Sequence, residues 1–186
     1  MSDTIENLLL RAFHARKENR LEEAKHDLVL AVEFCRNNNA RSELASALTR
    51  LGQVERDLRC SDAAREHYEE AVAIYRSESN EMRLAHALRH LGDIHQEAGR
   101  RRLADICYRE ALGLYRADER THPLDLANAI RGLAILKDNI GDTEYAKTLW
   151  QEARHLYQAA EVQEGVAEST RRLARLAAFA GSENVR

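Results

Sequence analysis

Apolar residues recur along the chain every three or four positions, which is the spacing of amphipathic α-helices. Short polar segments separate one apolar stretch from the next. The pattern predicts nine helices, at residues 4–18, 21–37, 41–58, 61–78, 82–98, 101–117, 123–140, 143–159 and 163–180. Pro123 falls in the first turn of the seventh helix, where its missing amide hydrogen is harmless, and Thr121 is the expected cap. An all-α fold is therefore predicted.

The helical pattern is repeated within the chain. One nine-residue segment returns three times, at offsets of 40, 42 and 40 residues. The four copies are LASALTRLG (44–52), LAHALRHLG (84–92), LANAIRGLA (126–134) and VAESTRRLA (166–174). In the first three copies an alanine follows the segment, and four residues later comes a bulky aromatic residue, at Tyr68, Tyr108 and Trp150. A weaker copy at the start of the chain aligns Ala12 with Gly52. The chain is thus predicted to consist of repeated pairs of helices.

Each copy places a small residue where two helices would cross. Antiparallel helices approach to about 8–10 Å only where the contact residues are small. Gly92 lies in the middle of a predicted helix, where glycine costs about 1 kcal/mol relative to alanine. We interpret it as a crossing residue, because a larger side chain there would overpack by roughly 1–3 kcal/mol. The large ring on the second helix is then expected to fill the space beside the crossing.

These residues resemble the tetratricopeptide repeat family, whose pattern is W-x2-L-G-x2-Y, then A-x3-F, then alanine and proline. The best copy matches this pattern at Leu88, Leu91, Gly92, Ala104, Tyr108 and Ala111, with His95 at the tyrosine position. The period is 40–42 residues rather than the usual 34, and the closing proline is absent. The repeats are therefore most similar to the long variety found in kinesin light chains and cell-polarity adaptors.

The resemblance implies an all-α, right-handed superhelical solenoid of about four antiparallel helical hairpins plus a ninth, C-terminal helix. It covers about residues 4–181 and implies a single tetratricopeptide-repeat domain over residues 1–186. The repeats are expected at about 4–40, 41–80, 81–122 and 123–162, with the terminal helix at 163–180.

The resemblance also implies a function, that of a non-catalytic scaffold or adaptor which binds a peptide segment. In this family the first helix of each pair lines a concave groove. The groove residues expected here are Leu9, Phe13, Thr49, Arg50, Gln53, His86, Arg89, His90, Asp93, Asn128, Arg131, Ile135, Arg171 and Arg175. The same face is expected to include Glu6, Arg16, Lys17, Ser46, Arg56, Asp57, Gln96, Glu97, Asp138, Asn139, Glu168, Arg172 and Phe179.

The charge of this expected face differs in sign from that of the whole chain. The face holds nine basic and six acidic residues, whereas the chain has a net charge of −3. Arg89, Arg131 and Arg171 occupy equivalent positions in three copies and are expected to form a ladder. Guanidinium groups bind carboxylates bidentately, so an acidic peptide is the expected partner. The open alternative is a solvated face with local ion pairs, each of which contributes little.

A row of four potential metal ligands lies on one predicted helix. His86, His90, Asp93 and Glu97 fall within an arc of about 60°. A protein metal site normally adds ligands from a second element, and none is evident, so no metal or other cofactor is expected. The chain also has no H-E-x-x-H, G-x-S-x-G or P-loop motif, so no enzymatic activity is expected.

Composition narrows the class of protein further. The 186 residues are 44% hydrophobic and 32% charged with a single proline, which favours long helices over disorder. The net charge and the short apolar runs give no support for nucleic-acid binding, a membrane span or a secretory signal. Cys35, Cys60 and Cys107 are widely spaced and odd in number, which does not suit a disulfide framework. A cytoplasmic protein that binds another protein is expected.

Self-assembly is the alternative function. The final predicted helix has no partner hairpin and carries Leu173, Leu176, Ala177 and Phe179. Terminal repeats require a polar outer face, and the polar side of this helix is modest. Homodimerisation through the C-terminal helix is therefore a second hypothesis.

Overall fold

The protein is entirely helical over the residues that the structure, a computed structural model, describes. These are residues 4–183, with side-chain environments described through residue 178. The helices are α1 (Ile5–Lys17), α2 (Leu21–Asn37), α3 (Arg41–Asp57), α4 (Ser61–Ser77), α5 (Glu81–Glu97), α6 (Arg101–Ala117), α7 (Pro123–Asn139), α8 (Thr143–Ala159) and α9 (Gln163–Glu183). The nine predicted helices are confirmed, and α9 extends beyond its predicted end.

Most connections between helices are turns of three residues. In each of them the middle residue adopts a left-handed conformation, with φ between 54° and 82°. These residues are Asn19, Asn39, Arg59, Ser79, Gly99, Gly141 and Glu161. In the first turn the amide of Arg20 donates to the carbonyl of Ala15 at 2.8 Å, which satisfies one carbonyl at the helix end. Helices of 17 residues and turns of three residues therefore repeat with a period of 20.

The connection between α6 and α7 is longer. It spans residues 118–122 and accounts for the two extra residues of the 42-residue offset. Thr121 does not cap α7 as predicted. His122 does so instead, because its Nδ1 accepts a hydrogen bond from the amide of Leu124 at 3.2 Å. Pro123 occupies the first helical position, as its missing amide hydrogen allows.

The chain divides into two compact units, one up to Ile94 and one from His95 onward, so that the boundary falls within α5. In unit 1, α1 packs on α2, α2 on α3, and α3 on α4. In unit 2, α6 packs on α7, α7 on α8, and α8 on α9. Consecutive packing of this kind is that of stacked helical hairpins. No helix within the described residues is long and apolar enough to cross a membrane.

Small residues and large rings meet at the helix crossings, as predicted. A Cβ atom added to Gly52 would lie 2.8 Å from a ring carbon of Tyr68, so α3 and α4 are close only because this residue is glycine. In unit 2 a Cβ atom on Gly132 would lie 2.5 Å from the ring of Tyr108. Trp150 is fully buried. The position of Trp150 in the core confirms the alignment of the repeats.

Candidate functional site

A continuous polar network runs across α1, α3 and α5 in unit 1. We call it the unit-1 polar face, and it consists of Arg16, Gln53, Arg56, Asp57, His86, Arg89, His90 and Asp93. Arg16 pairs with Asp57 at 2.7 Å and donates to the amide oxygen of Gln53 at 3.4 Å. The amide nitrogen of Gln53 lies 3.5 Å from Nε2 of His86 and 3.4 Å from Nε2 of His90. Residues of three helices are thereby joined.

The α5 end of this network holds the two histidines close together. Their ring centroids are 4.7 Å apart, and the ring of His90 stacks on Tyr68 at 5.5 Å. Nη2 of Arg89 lies 2.8 Å from Nε2 of His90 and, being a permanent donor, requires that nitrogen to carry no proton. Asp93 accepts from Arg56 at 3.0 Å. The histidine pair is thus fixed between a stacking ring and an arginine.

Burial and nearby cations keep His90 neutral. Burial is the largest cause that lowers the pKa of His90 well below its usual value near 6.5, and Arg89, His86, Arg56 and Arg16 lower it further. Burial also raises the pKa of the Tyr68 hydroxyl against which the ring stacks. An uncharged imidazole surrounded by guanidinium groups indicates a positive local potential.

An exposed aromatic side chain lies beside this face. Phe13 on α1 is 48% exposed and borders two cavities. The smaller cavity, of about 40 Å³, is also lined by Arg50 and Gln53. The larger one, of about 440 Å³, is also lined by Lys17, whose Nζ lies 5.5 Å from the centre of the Phe13 ring. Leu9 on the same helix is half-buried. Unit 1 therefore joins an apolar contact to a basic surface.

Unit 2 carries a second polar face, on α7 and α9. Arg131 binds Glu168 through two hydrogen bonds, of 2.6 and 3.1 Å. Asp138 pairs with Arg175 and lies 3.5 Å from Arg172. Asn128 accepts from the Tyr157 hydroxyl at 2.9 Å. The charges of these two helices largely neutralise one another.

The residues of the predicted arginine ladder have different environments. Arg131 is held by Glu168, Arg89 contacts His90, and Arg171 is exposed. Sequence reasoning missed the ion pairs that join successive first helices. Their signal was present as oppositely charged residues 37 positions apart, as in Arg56 with Asp93 and Arg131 with Glu168. The remaining predicted residues are Thr49, which is buried, and Ile135, which is half-buried.

The row of potential metal ligands is engaged in contacts within the protein. Asp93 accepts from Arg56, and both histidines contact Gln53. Among the described residues no group of three or more His, Cys, Asp or Glu side chains is arranged to hold a metal ion. Cys35, Cys60 and Cys107 are free thiols.

The described part of α9 does not present its leucines to solvent. Leu176 is buried and Leu173 is half-buried, while Ala177 is exposed. The predicted contact residue Phe179 lies outside the side chains that the structure describes. The two leucines that suggested self-assembly are thus partly or wholly used in packing.

Comparison with known proteins identifies the repeat. Residues 43–117 match the family model of the tetratricopeptide repeat. No curated protein matches the chain in sequence. BtubC (BKLC) from P. vanneervenii is similar in structure, with a TM-score of 0.77 and 20% identity, over 85% of this chain and 65% of its own. The predicted tetratricopeptide repeats are confirmed.

Two further solved structures share the fold. The Rap protein complexed with Competence and Sporulation Factor has a TM-score of 0.78 and 16% identity, over 97% of this chain and 50% of its own. A P. anserina protein with nearly identical TPR-like repeats of the kinesin light chain kind has a TM-score of 0.77 and 15% identity, over 97% of this chain and 88% of its own. The chain thus spans only 65% and 50% of BtubC and Rap. The likeness shows the all-helical repeat fold.

Proposed function

We propose that the protein is a non-catalytic interaction module that binds a peptide with acidic side chains and one apolar side chain on the unit-1 polar face. The observation that carries this proposal is Phe13, an exposed aromatic ring between two cavities whose rims are basic. Tetratricopeptide repeats as a fold, and the neighbour solved with a bound factor, support a protein or peptide partner.

The apolar part of the peptide contacts Phe13. An exposed ring is free to stack on or pack against a partner side chain, and aromatic residues are enriched in interface centres. The cavity of about 440 Å³ beside it has room for such a side chain. Leu9 extends the apolar surface along α1. This contact supplies an anchor that charge alone does not.

The acidic part of the peptide contacts Arg50 and Lys17. Arg50 is exposed and has no ion-pair partner among residues 4–178, and Lys17 contacts only the ring of Phe13 there. Neither cation must leave a carboxylate of this chain before it binds one from a partner. In unit 2, by contrast, Arg131 would first have to separate from Glu168. Unit 1 is therefore the better site for an acidic ligand.

Selection from a library of random peptides displayed on phage tests the proposal. Enriched peptides are synthesised with a fluorescent label, and their affinity is measured by anisotropy at about 0.15 M salt. We expect acidic peptides with an apolar residue. The Lys17→Glu/Arg50→Glu variant should bind them about 100-fold more weakly, because two charge-assisted contacts are worth about 1.5 kcal/mol each.

A matched variant separates a local contact from the effect of net charge. Lys147→Glu/Arg102→Glu changes the charge equally at two exposed residues of the second helices α8 and α6. It should leave the affinity within about twofold, because rim and distant charges mainly alter association rates. An equal loss in both variants, or enriched peptides without acidic residues, would show that the proposed site is wrong.

Self-assembly through the C-terminal helix remains the less favoured proposal. Leu176 is buried and Leu173 half-buried, which removes much of the apolar surface that a dimer would need. Sedimentation velocity at micromolar concentration would reveal a dimer. A role as an adaptor in the cytoplasm belongs with the peptide-binding proposal and is tested by identifying the partner protein.

A further inference from the structure

We infer that the acidic group of the ligand lies against the His86–His90 pair, and that this pair takes up one proton from solvent as the ligand binds. The inference rests on the proposed function, since it concerns the same face and the same kind of ligand. It adds a regulation of binding by pH.

Gln53 connects the proposed peptide site to the histidines. Its side chain lines the small cavity beside Phe13 and Arg50. Its amide nitrogen also lies within 3.5 Å of Nε2 of both His86 and His90. A carboxylate that replaces the Gln53 contact on this side would therefore reach the imidazoles directly.

The histidine pair is surrounded by more cations than anions. The groups that face it are Arg16 on α1, Gln53 and Arg56 on α3, Tyr68 on α4, and Arg89 and Asp93 on α5. Including Asp57, which pairs with Arg16, three guanidinium groups stand against two carboxylates. The face therefore holds one positive charge that no carboxylate of the network balances.

This excess charge keeps the free pair unprotonated. Nε2 of His90 carries no proton because it accepts from Arg89 at 2.8 Å, and its Nδ1 lies 3.8 Å from the Asp93 carboxylate. The pKa of His90 is lowered chiefly by burial and then by the arginines. The two rings lie 4.7 Å apart, so the pair has room for one added proton but repels a second.

An incoming carboxylate reverses the balance of charge. It offsets the arginines and offers an acceptor for an imidazolium N–H, which favours the protonated form. The proton comes from solvent and bonds to a ring nitrogen of the pair; if this is Nε2 of His90, Arg89 turns to the ligand. No covalent bond of the protein is broken. Ligand binding therefore raises the pKa of the pair.

The sign of the pH dependence follows from this linkage. The bound state holds more protons than the free state, so the affinity increases as the pH falls through the raised pKa of the complex. Uptake of one proton strengthens binding by at most about tenfold for each pH unit. Above that pKa, binding is independent of pH.

Calorimetry measures the proton directly. We would titrate the full chain with an acidic peptide selected as described above, at pH 6, in two buffers of different ionisation enthalpy. The carboxylates of the peptide stay ionised above about pH 5.5, so any proton bound belongs to the protein. We expect an uptake between about half a proton and one proton per peptide at this pH.

Two variants locate the proton. His86→Gln/His90→Gln should abolish the uptake and flatten the affinity between pH 6 and pH 8. The matched His155→Gln changes an exposed histidine of α8 and should behave like the parent chain. In case the double variant does not fold, NMR titration of the His90 ring in the parent chain gives the pKa with and without peptide, and it should rise on binding.

The outcomes separate this inference from the proposed function. Peptide binding that depends on Lys17 and Arg50 but takes up no proton would overturn the inference alone. Uptake that persists in a folded histidine double variant would also overturn it. If no acidic peptide binds unit 1, both the proposed function and this inference are wrong.

Discussion

Units 1 and 2 place opposite charges at the same buried position. In unit 1 the carboxylate of Glu55 on α3 is 3% exposed and lies 2.6 Å from Nδ1 of His67 and 3.6 Å from Nζ of Lys25. In unit 2 the equivalent position on α7 holds Lys137, whose Nζ lies 2.6 Å from Asp105 on α6. The first helix of the pair thus carries the anion in one unit and the cation in the other.

The partners change together with the central residue. Asp105 also accepts from Arg109 at 2.7 Å, and these two hydrogen bonds outweigh burial, so the pKa of Asp105 is lowered. A buried ion pair is a weak source of stability, but its disruption is costly because one charge is then left without a partner. The comparison indicates that apolar packing sets the shape of the helix interface. The charges at this position specify which helix suits which neighbour.

The bulky aromatic position should show the largest effect and little difference between the units. Tyr68 in unit 1 and Trp150 in unit 2 are both fully buried. Trp150→Ala should destabilise the protein by about 3–5 kcal/mol, the range for a truncated buried aromatic residue, and Tyr68→Ala should fall in the same range. Chemical denaturation measures both. A change below about 1 kcal/mol for either variant would remove that ring from the core.

Charge reversal at the buried polar position tests the comparison directly. Glu55→Lys should destabilise by about 3 kcal/mol, because it places a third cationic or basic group beside Lys25 and His67. Adding Lys25→Glu should recover most of this loss, since the ion pair is restored with its direction reversed. Denaturation of the two single variants and the double variant gives the coupling.

The corresponding exchange in unit 2 should recover less. Lys137→Asp combined with Asp105→Lys restores the pair but places the new lysine beside Arg109, which now binds Asp105. Equal recovery in the two units would show that Arg109 has no influence on this position.

The crossing residue should give a smaller difference of defined sign. Gly52 in unit 1 corresponds to Ala134 in unit 2, which is buried without needing to be glycine. Gly52→Ala should destabilise by about 1–3 kcal/mol, because the added methyl group would lie 2.8 Å from the Tyr68 ring. Ala134→Gly should cost about 1 kcal/mol through helix propensity alone. Thermal melts followed by circular dichroism compare the two, and a stabilised Gly52→Ala protein would contradict the contact.

The turn position should show the smallest effect. Arg59 in unit 1 and Gly141 in unit 2 occupy equivalent turns, with φ of 63° and 82°. Arg59→Gly should stabilise by about 1 kcal/mol or less, because a side chain is strained in this conformation. Gly141→Arg should destabilise by a similar amount. The same melts measure both, and opposite signs for the two variants are the expected pattern.

The sequence predicts the helices and their pairing well, because apolar spacing and repetition act over the whole chain. It did not predict the turns at Arg59, Ser79 and Glu161, since these residues carry no local preference for a left-handed backbone. The repeat imposes that conformation, so the 20-residue period was a better guide than residue type.

The candidate site was predicted less completely. The face of the first helices was predicted from the resemblance, but the pairing of Arg131 with Glu168 was not. A ladder of arginines and a set of ion pairs share one sequence pattern, and only the distance between helices distinguishes them. The exposed position of Phe13 likewise depends on the cavities around it, which no spacing in the sequence encodes.

The three-residue turns determine where the chain tolerates a change of length. One residue inserted into such a turn would rotate the next helix by about 100° and expose its apolar side. The five-residue connection at 118–122 is not bound to this geometry and has already absorbed two residues. Tags, cleavage sites and circular permutations should therefore be placed there, whereas elsewhere in the described chain material should be added or removed in multiples of 40 residues.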